Sequence, residues 1–295
     1  FEKGRRRATI EAYSNCDSVL LYNDLTNEKA TFLGRKKNNG TGTHFMWENR
    51  DIRYNVLRAV GYYKGKPVAE DLIVFKGLEQ APNFELLYQD DKKILKGEAG
   101  YNYLYRLNCG GDDYTDSFGQ LWLQDNTNYS HSWAENFKDL NPYLASQRTT
   151  NDPIRGTRDW KLFQHFRFGR HQLEYRFPVA DGTYRIELYF TEPWHGTGGS
   201  ASTDCEGLRI FDVAVNDSVV LDDLDIWAES GHDEVCKKVI YATVTGGMLR
   251  IHFPEVKAGQ ALISGIAIAS TNEELKPTVF PASDWSWEKA DKEVM

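Results

Sequence analysis

Hydrophobic residues along this chain fall in short runs that alternate with polar ones. The runs are broken every few residues by Gly, Asn or Asp. Few stretches keep the 3.6-residue period of an amphipathic helix, so the pattern predicts an all-β protein. In the first part, residues 8–13 alternate, 19–22 are apolar, and 44–47 lead into 51–54. Residues 56–63 and 68–75 flank Lys64-Gly65-Lys66-Pro67, which reads as a hairpin turn. Some six or seven strands in about 75 residues predict an immunoglobulin-like β-sandwich, set at residues 1–80.

From residue 78 to 100 the alternation weakens, and Pro82, Gly97 and Gly100 stand among charged residues. This reads as a linker over 81–102 with room for one strand. A second β domain is set at 103–271, with its clearest strands at 173–177, 184–190, 210–215, 238–244, 248–253 and 263–269. Asp181-Gly182, Asn216-Asp217 and Gly246-Gly247 read as hairpin turns between them. Residues 111–158 are loop-like with scattered aromatics, and so long an irregular connection is usually functional or wrapped over a surface. The tail, 272–295, is polar apart from Trp285 and Trp287.

Composition narrows the class. The 295 residues are 41% hydrophobic and 13% aromatic, enough for a core in each of two domains and too much for a disordered chain. The formal net charge of −8 argues against a nucleic-acid partner, whose phosphates favour basic faces. No run approaches the roughly 20 apolar residues of a membrane span. The start, Phe1-Glu2-Lys3-Gly4, has neither an initiator Met nor a secretory apolar core, so the chain is expected to be a piece of something longer or already processed. Cys16, Cys109, Cys205 and Cys236 are too few and scattered for a disulfide framework and include no CxxC pair. They are expected as buried thiols, with a Cys205–Cys236 bridge left open should the protein be exported.

The search for chemistry fails quickly for nucleophile elbows, phosphate loops and zinc helices, none of which is present. Gly196-Thr197-Gly198-Gly199 follows a strand with no helix after it and reads as a flexible loop. Thr191-Glu192-Pro193 closes a strong strand, as an acid/base glutamate would in a sugar-cleaving barrel. The alternating βα units of such a barrel are missing, so Glu192 is expected to cap a loop. Asp112, Asp113 and Asp116 offer oxygens for a structural Ca²⁺, without EF-hand spacing, and a solvated acidic loop is the plainer reading. No other cofactor is expected.

Sugar binding fits best. Sugars show apolar ring faces edged by hydroxyls, so their sites combine flat aromatics with polar side chains. The second domain supplies Tyr114, Trp122 and Trp133 in its long loop, and Trp194 with His195 after a strand. Trp194 is the least core-like, standing between a Pro and His-Gly-Thr-Gly-Gly. Trp122 is flanked by Leu121 and Leu123, which suggests a strand with one buried face.

Tyr105-Arg106-Leu107-Asn108-Cys109-Gly110-Gly111, followed by Asp116, Gly119, Trp122 and Asp125, resembles the opening of a malectin-type domain. The resemblance continues through Leu162-Phe163-Gln164, Tyr175-Arg176-Phe177, Gly182-Thr183-Tyr184 and Leu188-Tyr189-Phe190-Thr191-Glu192. It ends with Phe211-Asp212-Val213-Ala214-Val215-Asn216 and Leu224-Asp225-Ile226. It implies a galactose-binding-type, jelly-roll β-sandwich that holds carbohydrate in loops at one end. Trp122 then resembles the family's first sugar-contacting aromatic, and Trp194 falls in the second such loop. A late acidic position falls near Lys257, with Glu255 nearby, so the diglucose preference of animal malectins is not expected.

The first part resembles another known module. Ser14-Asn15-Cys16-Asp17-Ser18-Val19-Leu20-Leu21-Tyr22-Asn23, Phe32-Leu33-Gly34-Arg35, His44-Phe45-Met46-Trp47 and Leu57-Arg58-Ala59-Val60-Gly61-Tyr62 are similar to an accessory domain of glycoside hydrolase family 2. These are the β-galactosidase-like, polysaccharide-degrading enzymes of Bacteroides-type gut bacteria. The resemblance implies the non-catalytic, carbohydrate-binding end of such an enzyme, periplasmic or secreted, with no catalytic residue on this chain. Its expected partners are an oligo- or polysaccharide, contacted by Tyr114, Trp122, Trp194 and His195, and the catalytic domain of the parent chain. The competing readings are a structural module that packs on that domain without binding sugar, and an independent hydrolase using Glu192.

Overall fold

The computed structural model describes residues 6–40, 42, 44–124, 146–170, 173–196 and 203–278. The first part holds β1 (Arg6–Tyr13), β2 (Ser18–Tyr22), β3 (Phe32–Lys37), β4 (His44–Ile52), β5 (Val56–Tyr63) and β6 (Lys66–Val74). β1 pairs with β4, and a second sheet runs β3-β2-β5-β6. Val19 and Leu21 on β2 and Phe45 and Trp47 on β4 are two residues apart, so each pair shares one face. Those faces meet with Cys16 in a closed core. The two segments read at 44–47 and 51–54 are mostly one strand. Between them lies a bulge, where the pairing of Ala8 with Arg50 and of Ile10 with Trp47 leaves Glu48 and Asn49 both opposite Thr9. Asn49 takes φ 52°, a left-handed conformation Asn tolerates better than most residues.

The second part holds β7 (Asn102–Asn108), β8 (Tyr114–Thr115), β9 (Leu121–Gln124), β10 (Ser146–Thr149), α1 (Trp160–Gln164), β11 (His165–Gly169), β12 (Glu174–Pro178) and β13 (Gly182–Phe190). It continues with β14 (Ile210–Val215), β15 (Ser218–Leu224), α2 (Ile226–Ser230), β16 (Cys236–Val244), β17 (Met248–His252), β18 (Val256–Ala258), β19 (Ala261–Ile263) and β20 (Gly265–Ser270). One sheet runs β16-β13-β20-β7-β9-β8 and faces another running β12-β17-β14-β15, on which β18 pairs with β14. A three-stranded sheet, β10-β11-β19, completes the sandwich. Tyr184, Ile186, Leu188 and Phe190 on β13 interlock with Phe211, Val213 and Val215 on β14. Burying each such side chain contributes about 1.5–3 kcal/mol. The protein is all-β, two sandwiches in series, and no described helix is long and apolar enough to cross a membrane.

Two of the three hairpins expected in the second domain are corners between sheets. Asn216-Asp217 does join a paired β14 and β15, with Val215 opposite Ser218. β12 and β13 lie in different sheets, as do β16 and β17. Asp181-Gly182 and Gly246-Gly247 therefore turn the chain from one layer to the other. The corners support each other: the Gly247 N–H donates to Asp181 Oδ1 at 2.9 Å, and Val179 N–H to the Gly247 carbonyl at 3.1 Å.

The connection between the sandwiches is a short 3-10 helix, Phe84–Tyr88, rather than a strand. Its Phe84, with Ala81 and Leu95, packs with Val56 of the first sandwich and Trp160, Leu162, Phe163 and Tyr189 of the second. The two domains thus share a hydrophobic seam. Beside it, buried Glu187 accepts from Arg185, Tyr103, Tyr189 and Lys237. Burial works against its charge, but these donors outweigh burial and hold the carboxyl below its ordinary range.

All four cysteines are buried free thiols, and the Cys205–Cys236 alternative is not formed. Burial pushes the Cys236 thiol up to about 11, so at pH 8 only about one in a thousand is the reactive thiolate. Thiol titration of the native protein is expected to find almost none reactive, and to find all 4 after denaturation. Fast reaction of a native thiol would contradict this burial.

Candidate functional site

Two residues after β13 comes Glu192, which is fully buried and accepts two backbone N–H groups on one oxygen. Trp194 donates to Glu192 Oε1 at 3.0 Å and His195 to the same atom at 3.1 Å. Arg209, 2% exposed, closes the other side, with Nε 2.5 Å from Oε2 and Nη2 3.2 Å from Oε1. Its Nη1 donates to the Gln260 carbonyl. Every oxygen of Glu192 is thus committed to holding the loop. This is the expected capping role.

That clamp presents Trp194 outward. Trp194 is 45% exposed, with its ring edge-to-face on Phe166 and Phe168 at centroid distances of 5.3 and 5.2 Å. The Arg209 guanidinium lies 5.4 Å from the ring centroid. A ring fixed from behind and free in front is a stacking surface that needs little ordering on binding. The next turn is held equally tightly. His232 Nδ1 lies 3.1 Å from the His195 carbonyl, and a Cβ on Gly196 would come within 2.5 Å of Trp227 Nε1. His195 keeps a half-exposed imidazole beside the platform.

Phe166 and Phe168 belong to β11, whose pairing with β10 sets Arg148 opposite Phe166 and Thr149 opposite His165. Opposed residues share a face. Arg148 therefore stands on the Phe166 side, its guanidinium 5.9 Å from the Phe168 centroid. His165 and Gln147 border a neighbouring cavity of about 380 Å³, with Gly110 to Asp112 on its far wall. Gly110 permits this approach: it takes φ 76°, and a Cβ there would sit 2.7 Å from the Phe166 carbonyl. Burial lowers the His165 pKa, which keeps the ring neutral at pH 7 as both donor and acceptor.

Trp122 is not a platform. It is fully buried in the seam, edge-to-face with Tyr189 at 5.3 Å, and its Nε1 donates to Asp116 Oδ2 at 2.9 Å. Strand alternation points Leu121 out and Trp122 in. Tyr114, opposite Trp122 on β8, packs at the same seam and donates to Asp159 Oδ1 at 2.6 Å. Burial and that bond raise its hydroxyl pKa, so it is a fixed donor rather than a sugar contact. The structure keeps Trp194 with His195 and sets Tyr114 and Trp122 in a different cluster. Trp133, Trp285 and Trp287 lie outside the described residues. Sequence reasoning did not bring forward Phe166, Phe168 and Arg148, although Phe-x-Phe on a strand is the two-residue period of a shared face. Trp122→Phe is expected to cost about 2 kcal/mol of stability through the lost indole bond and volume. Glycan affinity should stay unchanged, a result that thermal melts and titration would separate.

Of the aspartates offered for calcium, two have carboxylate oxygens already used within the chain. Asp116 Oδ1 accepts from Phe118 and Gln120 N–H groups and its Oδ2 from Trp122, while Asp113 accepts from Gln124. These aspartates organise a turn. Among the described residues, only Asp212, Asp222 and Asp223 come close enough together to share an ion. The Lys257 ammonium already sits there, bonded to Asp223 and 3.8 and 3.9 Å from Asp222 and Asp212.

Comparison with known proteins follows this division. Residues 103–272 match the malectin domain family, and residues 6–69 match a domain family of unknown function, DUF4982. Malectin of Danio rerio is 24% identical over 166 residues, covering 54% of this chain and 52% of the relative. Malectin of Mus musculus is 26% identical over 149 residues, covering 50% and 45%. The chain spans about half the length of these curated relatives. Among solved structures, a Bacteroides uniformis beta-glucuronidase aligns at TM-score 0.46 and 22% identity, over 94% of this chain and 28% of the enzyme. The ANX1 ectodomain from Arabidopsis thaliana aligns at 0.45 and 14%, over 94% and 84%. With its family match covering more than half of its length, the chain belongs to the malectin-domain family.

Proposed function

We propose that this chain is a carbohydrate-binding region in which the second sandwich holds glycan against Trp194. The observation that carries the reading is the half-exposed indole held by Phe166, Phe168 and the Glu192–Arg209 clamp. Arg148, whose guanidinium lies 5.9 Å from the Phe168 centroid, supplies a hydroxyl-binding group on the same face. Membership in the malectin-domain family supports the same reading.

The finer reading is the non-catalytic end of a secreted or periplasmic bacterial glycoside hydrolase of family 2, β-galactosidase-like. The first sandwich supports it through its residue resemblance and its connectivity. Among the described residues, β1 pairs with β4 and a second sheet runs β3-β2-β5-β6, a two-sheet arrangement that supports the immunoglobulin-like reading. In such an enzyme, binding here would keep the catalytic domain near a polymeric substrate by effective concentration.

The structural-module reading draws support from the seam, where Trp122, Trp160 and Tyr114 are already used for domain packing. Titration of intrinsic fluorescence with galactosides, glucosides and plant polysaccharides, beside a chromogenic hydrolysis assay, separates the two. A saturable shift without hydrolysis is expected. No shift with any sugar would favour the structural module, and hydrolysis by this chain would overturn both.

A further inference from the structure

The loop that carries Trp194 is held at its entry by the Glu192–Arg209 clamp and further along by His232, which follows α2. Backbone bonds fix where His232 stands. The Asp233 N–H donates to the Glu192 carbonyl at 3.0 Å, and the Arg155 N–H to the Asp233 carbonyl at 2.8 Å. His232 is thereby set against the loop, its Cβ 3.2 Å from where a Cβ on Gly196 would lie. Its side chain is 17% exposed.

Both ring nitrogens of His232 face acceptors. Nδ1 lies 3.1 Å from the His195 carbonyl, and Nε2 lies 3.0 Å from Asp233 Oδ2. A carbonyl can only accept, and so can an ionised carboxylate. A neutral imidazole has one proton and serves one of the two; the imidazolium has two and serves both. The surrounding charges favour the second form. Burial lowers the His232 pKa, but the bond and charge of Asp233, the charge of Asp152 and the His195 carbonyl outweigh burial and raise it. Asp71 on β6 is a third carboxyl in reach, and His232 favours its ionisation. Arg155 brings an opposing cation, its Nη2 3.0 Å from the His232 carbonyl and 3.4 Å from Glu234. Glu70 on β6 is paired with Arg58, and Glu192 with Arg209.

With one proton lost, the ring can keep only one of these bonds. The bond to a charged carboxylate is the stronger, so the remaining proton stays on Nε2 and the His195 carbonyl loses its donor. Resting on the reading that Trp194 holds glycan, we propose that His232 is a positioning residue for that platform. As an imidazolium it ties the His195 carbonyl to Asp233, and glycan affinity depends on its second proton. Because its folded-state pKa is raised, the tie is fully present below the ordinary imidazole value of about 6.5 and is lost as pH rises through the folded value. Glycan affinity should fall about fivefold over that step, the size of one net hydrogen bond.

The test follows the full chain by NMR with isotope-labelled histidine and backbone, from about pH 6 to about pH 9. Titrations with the sugar that shifts the wild-type fluorescence run beside it. His232 is expected to be cationic at the lower end, to titrate above about 6.5, and to keep its last proton on Nε2. The Gly196 amide belongs to the peptide unit of the His195 carbonyl, so its shift should move with the same midpoint. His195→Gln removes the neighbouring titratable ring and should keep the affinity step. Asp233→Asn should move the step to lower pH, and His232→Gln should abolish it. Should either of these last two fail to fold, the wild-type midpoints of His232 and Gly196 carry the test. A His232 neutral throughout, a Gly196 amide blind to its titration, or an affinity constant with pH would overturn the proposal. So would a step that vanishes in His195→Gln. No sugar binding at any pH, with the Gly196 step present, would overturn the glycan reading and leave the tie standing.

Discussion

Trp194→Ala should weaken glycan binding about 30-fold while leaving a folded protein. The expected size is that of a truncated aromatic hot spot, about 2 kcal/mol. The indole is the broad apolar face that the Glu192 clamp directs to solvent, and its replacement leaves Arg148 without a platform. The stability cost should be smaller than that of a core tryptophan. Trp194 is 45% exposed, and losing its contacts with Phe166 and Phe168 should cost about 1–2 kcal/mol. Trp194→Tyr keeps a flat ring and should retain much of the affinity. Titration with the sugar that shifts the wild-type fluorescence, read calorimetrically in the variants, checks both. Unchanged affinity in the alanine variant would remove Trp194 from the site.

Much of the fold was legible because alternation is a local signal. β5 and β14 begin and end where the sequence pattern does, since each is a short run of β-branched and aromatic residues bounded by turn residues. β3 was missed: Phe32-Leu33-Gly34-Arg35-Lys36-Lys37 is an edge strand whose charges keep other strands from pairing with it, and that erases the alternation. Asp-Gly and Gly-Gly announce a change of direction but not whether the chain returns to the same sheet, so two corners read as hairpins.

The site divides the same way. Trp194 was found from its neighbours in sequence, a Pro before and glycines after. The alternation that flanks Trp122 with Leu121 and Leu123 already pointed to burial, and the seam completes it with residues from the first domain and the connector. What holds Trp194 was not legible. Arg209 is 17 residues from Glu192, and Phe166 and Phe168 reach the ring from another sheet. Contacts of that kind are set by how layers stack, which period and spacing do not encode.

The clamp itself yields the largest expected effect on stability. Glu192→Gln keeps the shape of the side chain but leaves the Arg209 guanidinium, 2% exposed, with one carbonyl partner. Removing one member of a buried ion pair costs about 3–5 kcal/mol, because the remaining charge stays out of water uncompensated. The glutamine amide makes matters worse. Either its oxygen serves the Trp194 and His195 N–H groups and its NH₂ faces the guanidinium, donor against donor, or it turns and abandons the loop. Arg209→Met alone should be costly for the converse reason, since it strands the carboxylate with only two backbone donors. Leucine at 192 with methionine at 209 removes both charges, and should recover a good part of the loss in denaturant unfolding although the loop loses its acceptor. The double replacement should therefore cost less than the sum of the single ones, by about 2–3 kcal/mol. Additive losses would mean that the two side chains act independently. The platform would then owe its position to the Phe166–Phe168 base, and sugar affinity, measured in whichever variants remain folded, would survive loss of the clamp.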